Sequence, residues 1–405
     1  MAVGPDTLPT LHPVAGFRLG TTSAGVKTPG RKDLVIMELA ANATVAGVFT
    51  QNQFCAAPVQ ISKAHLAAGM PSYLLVNTGN ANAGTGKEGY QDALTCCQAV
   101  ADHAGTSLEQ VLPYSTGVIG EKLPVEKITA AVPAAFDALT EDGWLAAANG
   151  ITTTDTRPKA YSAQFDYQGE VVTLTGISKG AGMIRPNMAT MLAYVATDVT
   201  IDAGLLQKML SRSADLTFNR VTIDGDTSTN DSCMLVATGA KSLQITQADQ
   251  ALFEAFNTAL DEIMLALAQA IVRDGEGATK FVTIAVEQAA SSEEALKAAY
   301  AVAHSPLVKT ALFASDPNWG RILAAVGYAG VENLDVDALQ IYLGDVCIVA
   351  NGGRAESYTE AAGQAVMDEE DILIRIVLNR GELSETIWTT DLSKDYVAIN
   401  ADYRS

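Results

Sequence analysis

The spacing of apolar residues constrains the fold of this 405-residue chain more than any other feature. Short apolar runs of strand length, such as DLVIMELA and SYLLVNTG, alternate with longer segments in which apolar residues recur at helical spacing. The pattern predicts helices near 88–104, 124–139, 203–215 and 247–273, and strands at 191–197, 280–287, 338–350, 371–379 and 385–390. Strands and helices intermixed along the whole chain favour an α/β or α+β layered sandwich. No Pro/Ser-rich linker or internal repeat divides the chain, so composition predicts no domain boundary.

Composition argues against several classes of partner. The chain carries 46 acidic and 26 basic side chains, and its formal net charge of -20 disfavours nucleic acid or an anionic membrane as a general partner. Its five cysteines are scattered without CxxC spacing, which is typical of reduced thiols in a cytosolic protein. The N-terminal residues lack a signal-peptide pattern and no window approaches 18 uninterrupted apolar residues, so we expect a cytoplasmic location and no membrane partner.

Histidine chemistry is not indicated. The four histidines do not form an HExxH motif, and none lies beside a second potential ligand at metal spacing; they are His12, His65, His103 and His304. We therefore expect no metal site.

A GxSxG pattern at residues 176–180 formally matches the nucleophile elbow of serine hydrolases. An elbow requires a helix directly after the serine, whereas Ser178 is followed by KGAGMIRPNM. The glycines of that segment destabilise a helix and Pro186 would break it, so a Ser-His-Asp hydrolase is disfavoured.

The glycine-rich stretch NTGNANAGTGKEG, residues 77–89, resembles a phosphate-binding loop in composition only. It lacks the GK[ST] ending of a P-loop, because Glu88 follows Lys87. A tight turn that enters the helix near residue 88 explains it at least as well as a ligand contact does.

The segment from Lys179 to Leu192, KGAGMIRPNMATML, has a different character. Its glycines allow an irregular backbone, Pro186 fixes a bend, and Thr190 stands directly before an apolar strand. Cleavage before Thr190 would leave an N-terminal threonine, whose α-amino group, with an ordinary pKa of about 7.7–8.0, can act as base for its own hydroxyl. From the residues alone, a threonine at a strand start is also ordinary β-structure, and both interpretations stay open.

The same segment closely resembles the autoproteolytic signature of the ornithine acetyltransferase family, the bifunctional glutamate N-acetyltransferases. Further motifs resemble that family in the same order, so the similarity spans essentially the whole chain. They are NTGNANAGTG, STGVIG at 115–120, TTTDT at 152–156, DGDTSTND at 224–231, RDGEGATK at 273–280 and the ending NADYRS at 400–405.

The resemblance implies that the precursor cuts itself between Ala189 and Thr190. The products would be an α chain, 1–189, and a β chain, 190–405, that remain together as an α2β2 heterotetramer. It also implies an α/β sandwich of the self-processing, N-terminal-nucleophile type that certain aminopeptidases share.

The implied reaction is a ping-pong transfer in arginine biosynthesis. Thr190 would take the acetyl group from N2-acetyl-L-ornithine, release L-ornithine, and pass the acetyl group to L-glutamate, giving N-acetyl-L-glutamate. No resident cofactor is implied, although acetyl-CoA is a possible second donor in the family.

Matching positions imply roles for individual residues. Thr116 and Gly117 correspond to the oxyanion hole, a role that suits a hydroxyl donor and a backbone N–H on a tight turn. The positions that match substrate contacts are Thr154, Lys179, Thr190, Glu276, Asn400 and Ser405. Thr154 is open to a register error, because Thr152, Thr153 and Thr156 lie beside it.

A functional Ser405 requires that the C-terminal tail fold back into the site. The alternation of apolar residues in YVAINADY predicts a final strand that would do so.

Two other functions remain open on the residues alone. An aminopeptidase or amidohydrolase would use the same self-generated nucleophile with water as acceptor. In a non-catalytic α/β binding protein, the loop before Thr190 would be merely structural.

Overall fold

The computed structural model describes residues 2–69, 71–185 and 191–402. The chain forms two compact units: the larger comprises Thr7–Asn219 and Asp226–Ile271, and the smaller comprises Met1–Asp6, Arg220–Gly225 and Val272–Ser405. Because the chain passes between the units several times, no single linker separates them, which explains why composition predicts no boundary. The division into chains 1–189 and 190–405 stays a prediction, and its cut would fall within the sequence range of the larger unit.

The larger unit contains two main sheets and helices. Its strands are β1 (Phe17–Thr22), β2 (Leu34–Leu39), β3 (Thr44–Phe49), β4 (Tyr73–Asn80), β5 (Val111–Val118), β6 (Lys159–Tyr167), β7 (Glu170–Lys179), β8 (Leu192–Thr197), β9 (Thr200–Ile201), β10 (Ser232–Ala237) and β11 (Gln244–Ile245). Its helices are α1 (Ala57–Ala68), α2 (Gly86–Ala104), α3 (Val125–Asp137), α4 (Trp144–Gly150), α5 (Ala203–Leu216) and α6 (Gln250–Arg273).

The two sheets pack face to face. The first has the order β1-β2-β4-β5 and the second the order β3-β10-β8-β7-β6, while β9 and β11 form a separate small pair. Residues from both sheets share one buried apolar cluster, which includes Val76, Tyr114, Ile177 and Tyr194. On the other face of the first sheet, α2 and α3 cover a second cluster. The predicted α/β layered sandwich is thus confirmed for this unit.

Successive side chains of strand β7 point to opposite faces of the second sheet, toward the core between the sheets and toward helix α6. Ile177 points into the core between the sheets, whereas Ser178 on the opposite face donates a hydrogen bond from its Oγ to the carbonyl oxygen of Leu267 in α6, at 3.3 Å. Helix α6 therefore covers the outer face of the second sheet. It is also the one described helix that is long and apolar enough to cross a membrane, but half of its most apolar window is buried in the fold, as in a core helix.

The smaller unit is built on one mixed sheet with the order β15-β14-β13-β16-β12-β17. Its strands are β12 (Phe281–Ala289), β13 (Gln340–Leu343), β14 (Val346–Ala350), β15 (Gly353–Arg354), β16 (Asp371–Val377) and β17 (Leu383–Thr390). Its helices are α7 (Ser292–Ala303), α8 (Pro306–Phe313), α9 (Trp319–Gly327), α10 (Glu360–Met367) and α11 (Lys394–Ala401). An apolar cluster from the sheet and these helices forms its core.

Two predicted elements of this unit differ from the structure. The strand expected at 338–350 is a hairpin, because Gly344, with φ +53, turns the chain between β13 and β14. The final strand expected in YVAINADY is the helix α11. Ser393 caps it by accepting a hydrogen bond from the Tyr396 N–H at 3.2 Å, and Val397 is 63% exposed, so the alternation does not mark a buried sheet face.

Candidate active site

Three strand ends of the second sheet meet at one edge of the larger unit. Lys179, the last residue of β7, pairs with Leu192, the first of β8, which pairs in turn with Ser232, the first of β10. The chain therefore enters β8 from Met191 beside this edge, and the Met191 N–H donates to Asp231 Oδ1 at 3.0 Å. Ala189 and Thr190 themselves lie outside the described residues.

The structure brings Lys179 and Thr116 together across the two sheets. Lys179 is 3% exposed, and its Nζ donates a hydrogen bond to Thr116 Oγ1 at 3.1 Å. An ammonium group has no acceptor, so the threonine oxygen must accept here, and its own hydroxyl hydrogen points elsewhere. Lys179 thus both orients the Thr116 hydroxyl as a donor and places a positive charge beside it.

A buried carboxylate holds this lysine in place. Asp155 Oδ1 accepts from Lys159 Nζ at 2.6 Å and from the Gly180 N–H at 2.8 Å, and the Asp155 and Lys159 side chains are 0% and 1% exposed. Burial would raise the pKa of Asp155, but the charges of Lys159 and Lys179 and the Gly180 N–H outweigh it, so this pKa lies well below its usual range. Asp155 is therefore ionised and stabilises both ammonium groups. Sequence reasoning missed it, although it is the acidic member of the TTTDT motif.

Replacing Asp155 with Asn should destabilise the protein by about 3–5 kcal/mol at neutral pH, because two buried lysines lose their counter-charge. Since the folded pKa is the lower one, the stabilisation is complete above the unfolded pKa of about 3.9 and declines as the pH falls below it. Urea unfolding of both proteins at several pH values measures the difference.

The matched control is Asp261→Asn, which removes a more exposed partner of Arg212. This control should lower the free energy of unfolding by less than Asp155→Asn does. Equal losses in the two variants, or a loss for Asp155→Asn that does not shrink in acid, would contradict the assignment of the buried charge.

Gly117 follows Thr116 in a backbone conformation that excludes other residues. Its φ is +134, and a Cβ at this position would lie 2.3 Å from the carbonyl carbon of Gly79 and 2.5 Å from the nitrogen of Asn80. Strands β4 and β5 are irregularly paired at this point, with a register shift between Gly79 and Asn80. The close approach of two backbones is thus what requires glycine at the predicted oxyanion position.

We expect Gly117→Ala to lose more than about 3 kcal/mol of stability and to impair any activity, because the clash adds to the backbone strain. Gly120→Ala is the matched control, since Gly120 also has positive φ, at +81, but nothing lies within 4 Å of an added Cβ. It should lose only about 1–2 kcal/mol in the same urea titration. Comparable losses in both variants would show that the approach to Gly79 is not tight.

The amide-rich stretch shapes the backbone around Thr116. Ser115 Oγ donates to Asn77 Oδ1 at 2.6 Å, and Asn77 Nδ2 donates to the Asn80 carbonyl oxygen at 2.9 Å. Asn230, from the DGDTSTND motif, donates through Nδ2 to the carbonyl oxygens of Ser115 and Ala81 at 2.9 and 2.6 Å. These amides are engaged by backbone groups. Residues 77–80 belong to β4, and residues 81–85 form the predicted turn that leads into α2 at Gly86.

Two more predicted substrate residues meet in the smaller unit. Asn400 Nδ2 donates to Glu276 Oε2 at 2.8 Å, and Gly277, with φ +68, shapes the loop that carries Glu276. Ser405 lies outside the described residues.

The threonines of the TTTDT motif, residues 152–156, differ in their contacts. Thr152 Oγ1 donates to the carbonyl oxygen of Asn149 at 2.8 Å and accepts from Arg31 at 3.1 Å, which indicates a structural role. Thr154 is partly exposed directly before Asp155, and its contact with substrate stays a prediction.

The serine-hydrolase alternative does not fit the structure. Ser178 is buried within β7, and the described residues that follow it are non-helical up to residue 185, so it is not a nucleophile elbow.

Across residues 2–69, 71–185 and 191–402, no three His, Cys, Asp or Glu side chains are grouped to hold a metal ion.

A buried ammonium, a threonine hydroxyl and a strand glycine with positive φ lie together at the edge where the chain enters β8. Fold and site thus define an α/β-sandwich protein equipped to stabilise a negative charge that develops on oxygen, as acyl transfer requires.

Comparison with known proteins identifies the family. The ArgJ family model matches residues 18–405. The chain is 60% identical over 406 residues to the arginine biosynthesis bifunctional protein ArgJ of Pseudomonas fluorescens, covering all of both chains. It is 55% identical over 395 residues to that of Methylococcus capsulatus, covering 98% of this chain and 97% of the relative. The chain belongs to the ArgJ family, which confirms the resemblance drawn from its motifs.

Two solved structures are also similar. The arginine biosynthesis bifunctional protein ArgJ of Bacillus halodurans aligns with 51% of this chain and 97% of its own at 38% identity and a TM-score of 0.49. An ornithine acetyltransferase of Mycobacterium tuberculosis, complexed with ornithine, aligns with 43% of this chain and 92% of its own at 34% identity and a TM-score of 0.38. Since both TM-scores are below 0.5, the family assignment rests on the sequence matches.

Proposed function

We propose that the protein transfers the acetyl group of N2-acetyl-L-ornithine to L-glutamate, through an acetyl-Thr190 intermediate, in arginine biosynthesis. The observation that carries the proposal is the buried Lys179–Thr116 contact beside the strand that Thr190 precedes, in a chain of the ArgJ family. Self-cleavage between Ala189 and Thr190 would supply the free α-amine that the reaction needs.

The chemistry follows from these groups. Thr190 Oγ attacks the acetyl carbonyl carbon while its proton passes to the Thr190 α-amine. The Thr116 hydroxyl and the Gly117 N–H stabilise the oxyanion, and the charge of Lys179 beside Thr116 strengthens that field in a buried site. The C–N bond to ornithine then breaks as the amine proton is returned, and the amine of glutamate attacks the resulting ester in the reverse sense.

We assign substrate recognition to side chains whose charge suits a zwitterionic amino acid. Lys179 suits a carboxylate, and Glu276, which Asn400 orients, suits an ammonium group. Thr154 and Ser405 complete the set that the family resemblance implies.

The finer points are proposals of the same kind. We expect a cytoplasmic α2β2 heterotetramer of the two cleaved chains, with no resident cofactor. Acetyl-CoA is the candidate second donor, which would give the protein N-acetylglutamate synthase activity as well.

Incubation of the purified protein with N-acetylornithine, with and without glutamate, tests the proposal. Ornithine release that requires glutamate identifies a transferase, because the acetyl-enzyme then needs an amine acceptor. Release at the same rate without glutamate would identify the aminopeptidase or amidohydrolase alternative, and no release under either condition would favour the binding protein.

A further inference from the structure

Glu276 is held by the fold through one of its two carboxyl oxygens. Its Oε2 accepts the hydrogen bond from Asn400 Nδ2 at 2.8 Å, and its side chain is partly exposed. Within the part of the chain that the structure describes, no group donates a hydrogen bond to the second oxygen, Oε1. That oxygen can receive an ammonium group of a ligand, provided that the surrounding chain keeps Glu276 in place.

The loop that carries Glu276, residues 274–280, connects α6 to β12 and belongs to neither a helix nor a strand. Its conformation therefore depends on contacts with other parts of the smaller unit. On one side it packs closely on the start of α11, since a Cβ on Gly277 would lie 2.5 Å from the Tyr396 nitrogen. Helix α11 buries none of its own residues, so it is a weak anchor by itself.

Asp391 binds the other end of this loop. It directly follows β17 and is 4% exposed. Its Oδ1 accepts the N–H groups of Thr279 and Lys280 at 2.8 and 3.0 Å, and its Oδ2 accepts the Thr279 hydroxyl at 2.6 Å. Both carboxyl oxygens thus bind two consecutive residues of the loop that carries Glu276.

Lys309 holds the backbone on both sides of Asp391. Its Nζ donates to the Thr390 carbonyl oxygen and to Thr389 Oγ1, the latter at 3.1 Å, and its own carbonyl oxygen accepts the Leu392 N–H at 3.1 Å. Lys309 is 4% exposed, and burial lowers its pKa to about 8, although nearby carboxylates, Asp391 foremost, oppose this. Lys309 is therefore mostly protonated at neutral pH and places a positive charge near Asp391.

We propose that Asp391 is a positioning residue of the transfer reaction, which acts through Glu276 by holding its loop where Oε1 receives the ammonium group of N-acetylornithine. The proposal rests on the proposed function, because that function assigns the ammonium group to Glu276. Asp391 itself does not touch the substrate. Its buried carboxyl group, fixed by Lys309, restricts the loop more than the exposed helix α11 does alone.

The test is a double-mutant cycle in the full-length protein, in which Asp391→Ala is made with and without Glu276→Gln. With Glu276 present, Asp391→Ala should raise KM for N-acetylornithine by about tenfold, the effect of losing one charge-assisted hydrogen bond, and should change kcat by less than about threefold. In the Glu276→Gln background it should change KM by less than about twofold, because the carboxylate through which it acts is gone. Equal rises in both backgrounds would show that Asp391 acts on the fold alone and would overturn the proposal.

Asp391→Asn is the conservative variant. Its amide oxygen can still accept both N–H groups and its Nδ2 can donate to Thr279 Oγ1, so most of the wild-type KM should be recovered. The matched control is Asp335→Ala, because Asp335 Oδ1 also accepts two consecutive N–H groups, those of Asp337 and Ala338 at 3.1 and 3.3 Å, but in the loop before β13. This control should leave KM unchanged. A KM for Asp391→Asn as high as that of Asp391→Ala, or a comparable rise in Asp335→Ala, would overturn the proposal.

Thr279→Val covers loss of folding in Asp391→Ala. It removes only the hydroxyl that Asp391 Oδ2 accepts, on an exposed residue, and should raise KM by about threefold with Glu276 present and not in the Glu276→Gln background. The same rise in both backgrounds, or no rise in either, would overturn the proposal. If the wild-type protein releases no ornithine with glutamate present, the proposed function itself fails, whereas normal transfer with additive effects of Asp391 and Glu276 refutes the positioning role alone.

Discussion

Thr190→Ala should remain a single uncut chain of 42.4 kDa, and its ornithine release from N-acetylornithine should fall by more than about 10⁴-fold. The substitution removes the hydroxyl that attacks the peptide bond, so it also prevents formation of the free amine that serves as base. Both losses therefore have one cause. Denaturing gels and the glutamate-dependent assay measure them separately.

Thr190→Ser is the control, because serine retains a hydroxyl and, after cleavage, an α-amine. It should be cut and should keep measurable transfer activity. Full activity in an uncut Thr190→Ala protein would remove Thr190 from the mechanism.

Thr116→Val should lower kcat by about 10²–10³-fold and leave KM almost unchanged. Valine has nearly the shape of threonine but no hydroxyl, so it removes a donor that is needed only when the oxyanion forms. Lys179 Nζ loses one acceptor at 3.1 Å but keeps the nearby charge of Asp155, which limits the structural effect. Steady-state kinetics with N-acetylornithine and glutamate separate kcat from KM.

Thr116→Ser serves as control, since it restores a hydroxyl at the same place and should recover most of kcat. If Thr116→Val stays within about threefold of the wild type, the hydroxyl is not part of the oxyanion hole. A rise in KM alone would instead indicate a substrate contact made equally in the ground state.

Much of the fold could be predicted from local patterns. The strand expected at 191–197 is β8, and the helices expected near 88–104 and 247–273 are α2 and α6, because their apolar residues repeat at the period of the structure they form. Those elements also carry the layered α/β architecture.

The wrong predictions arose where a neighbour decides the structure. The turn at Gly344 interrupts an otherwise strand-like run, and its Gly-Asp pair was the available signal. The alternation of YVAINADY would predict a strand only if a sheet edge buried one face, and Val397 is instead exposed on α11.

The site was predictable in part. Its family motifs led to Thr116, Gly117 and Lys179, but no local pattern shows that Lys179 would reach Thr116 across two packed sheets from 63 residues away. Asp155 was missed because its importance comes from burial and from its partners. It is nevertheless the acidic residue of a threonine-rich motif, TTTDT.

The most direct test of the account is the N-terminal sequence of the larger fragment of the purified protein. Self-processing at the proposed site predicts two fragments, with the larger one beginning Thr190-Met191-Leu192. An intact chain in fully active enzyme, or a larger fragment that begins at any other residue, would contradict the assignment of Thr190 as an N-terminal nucleophile.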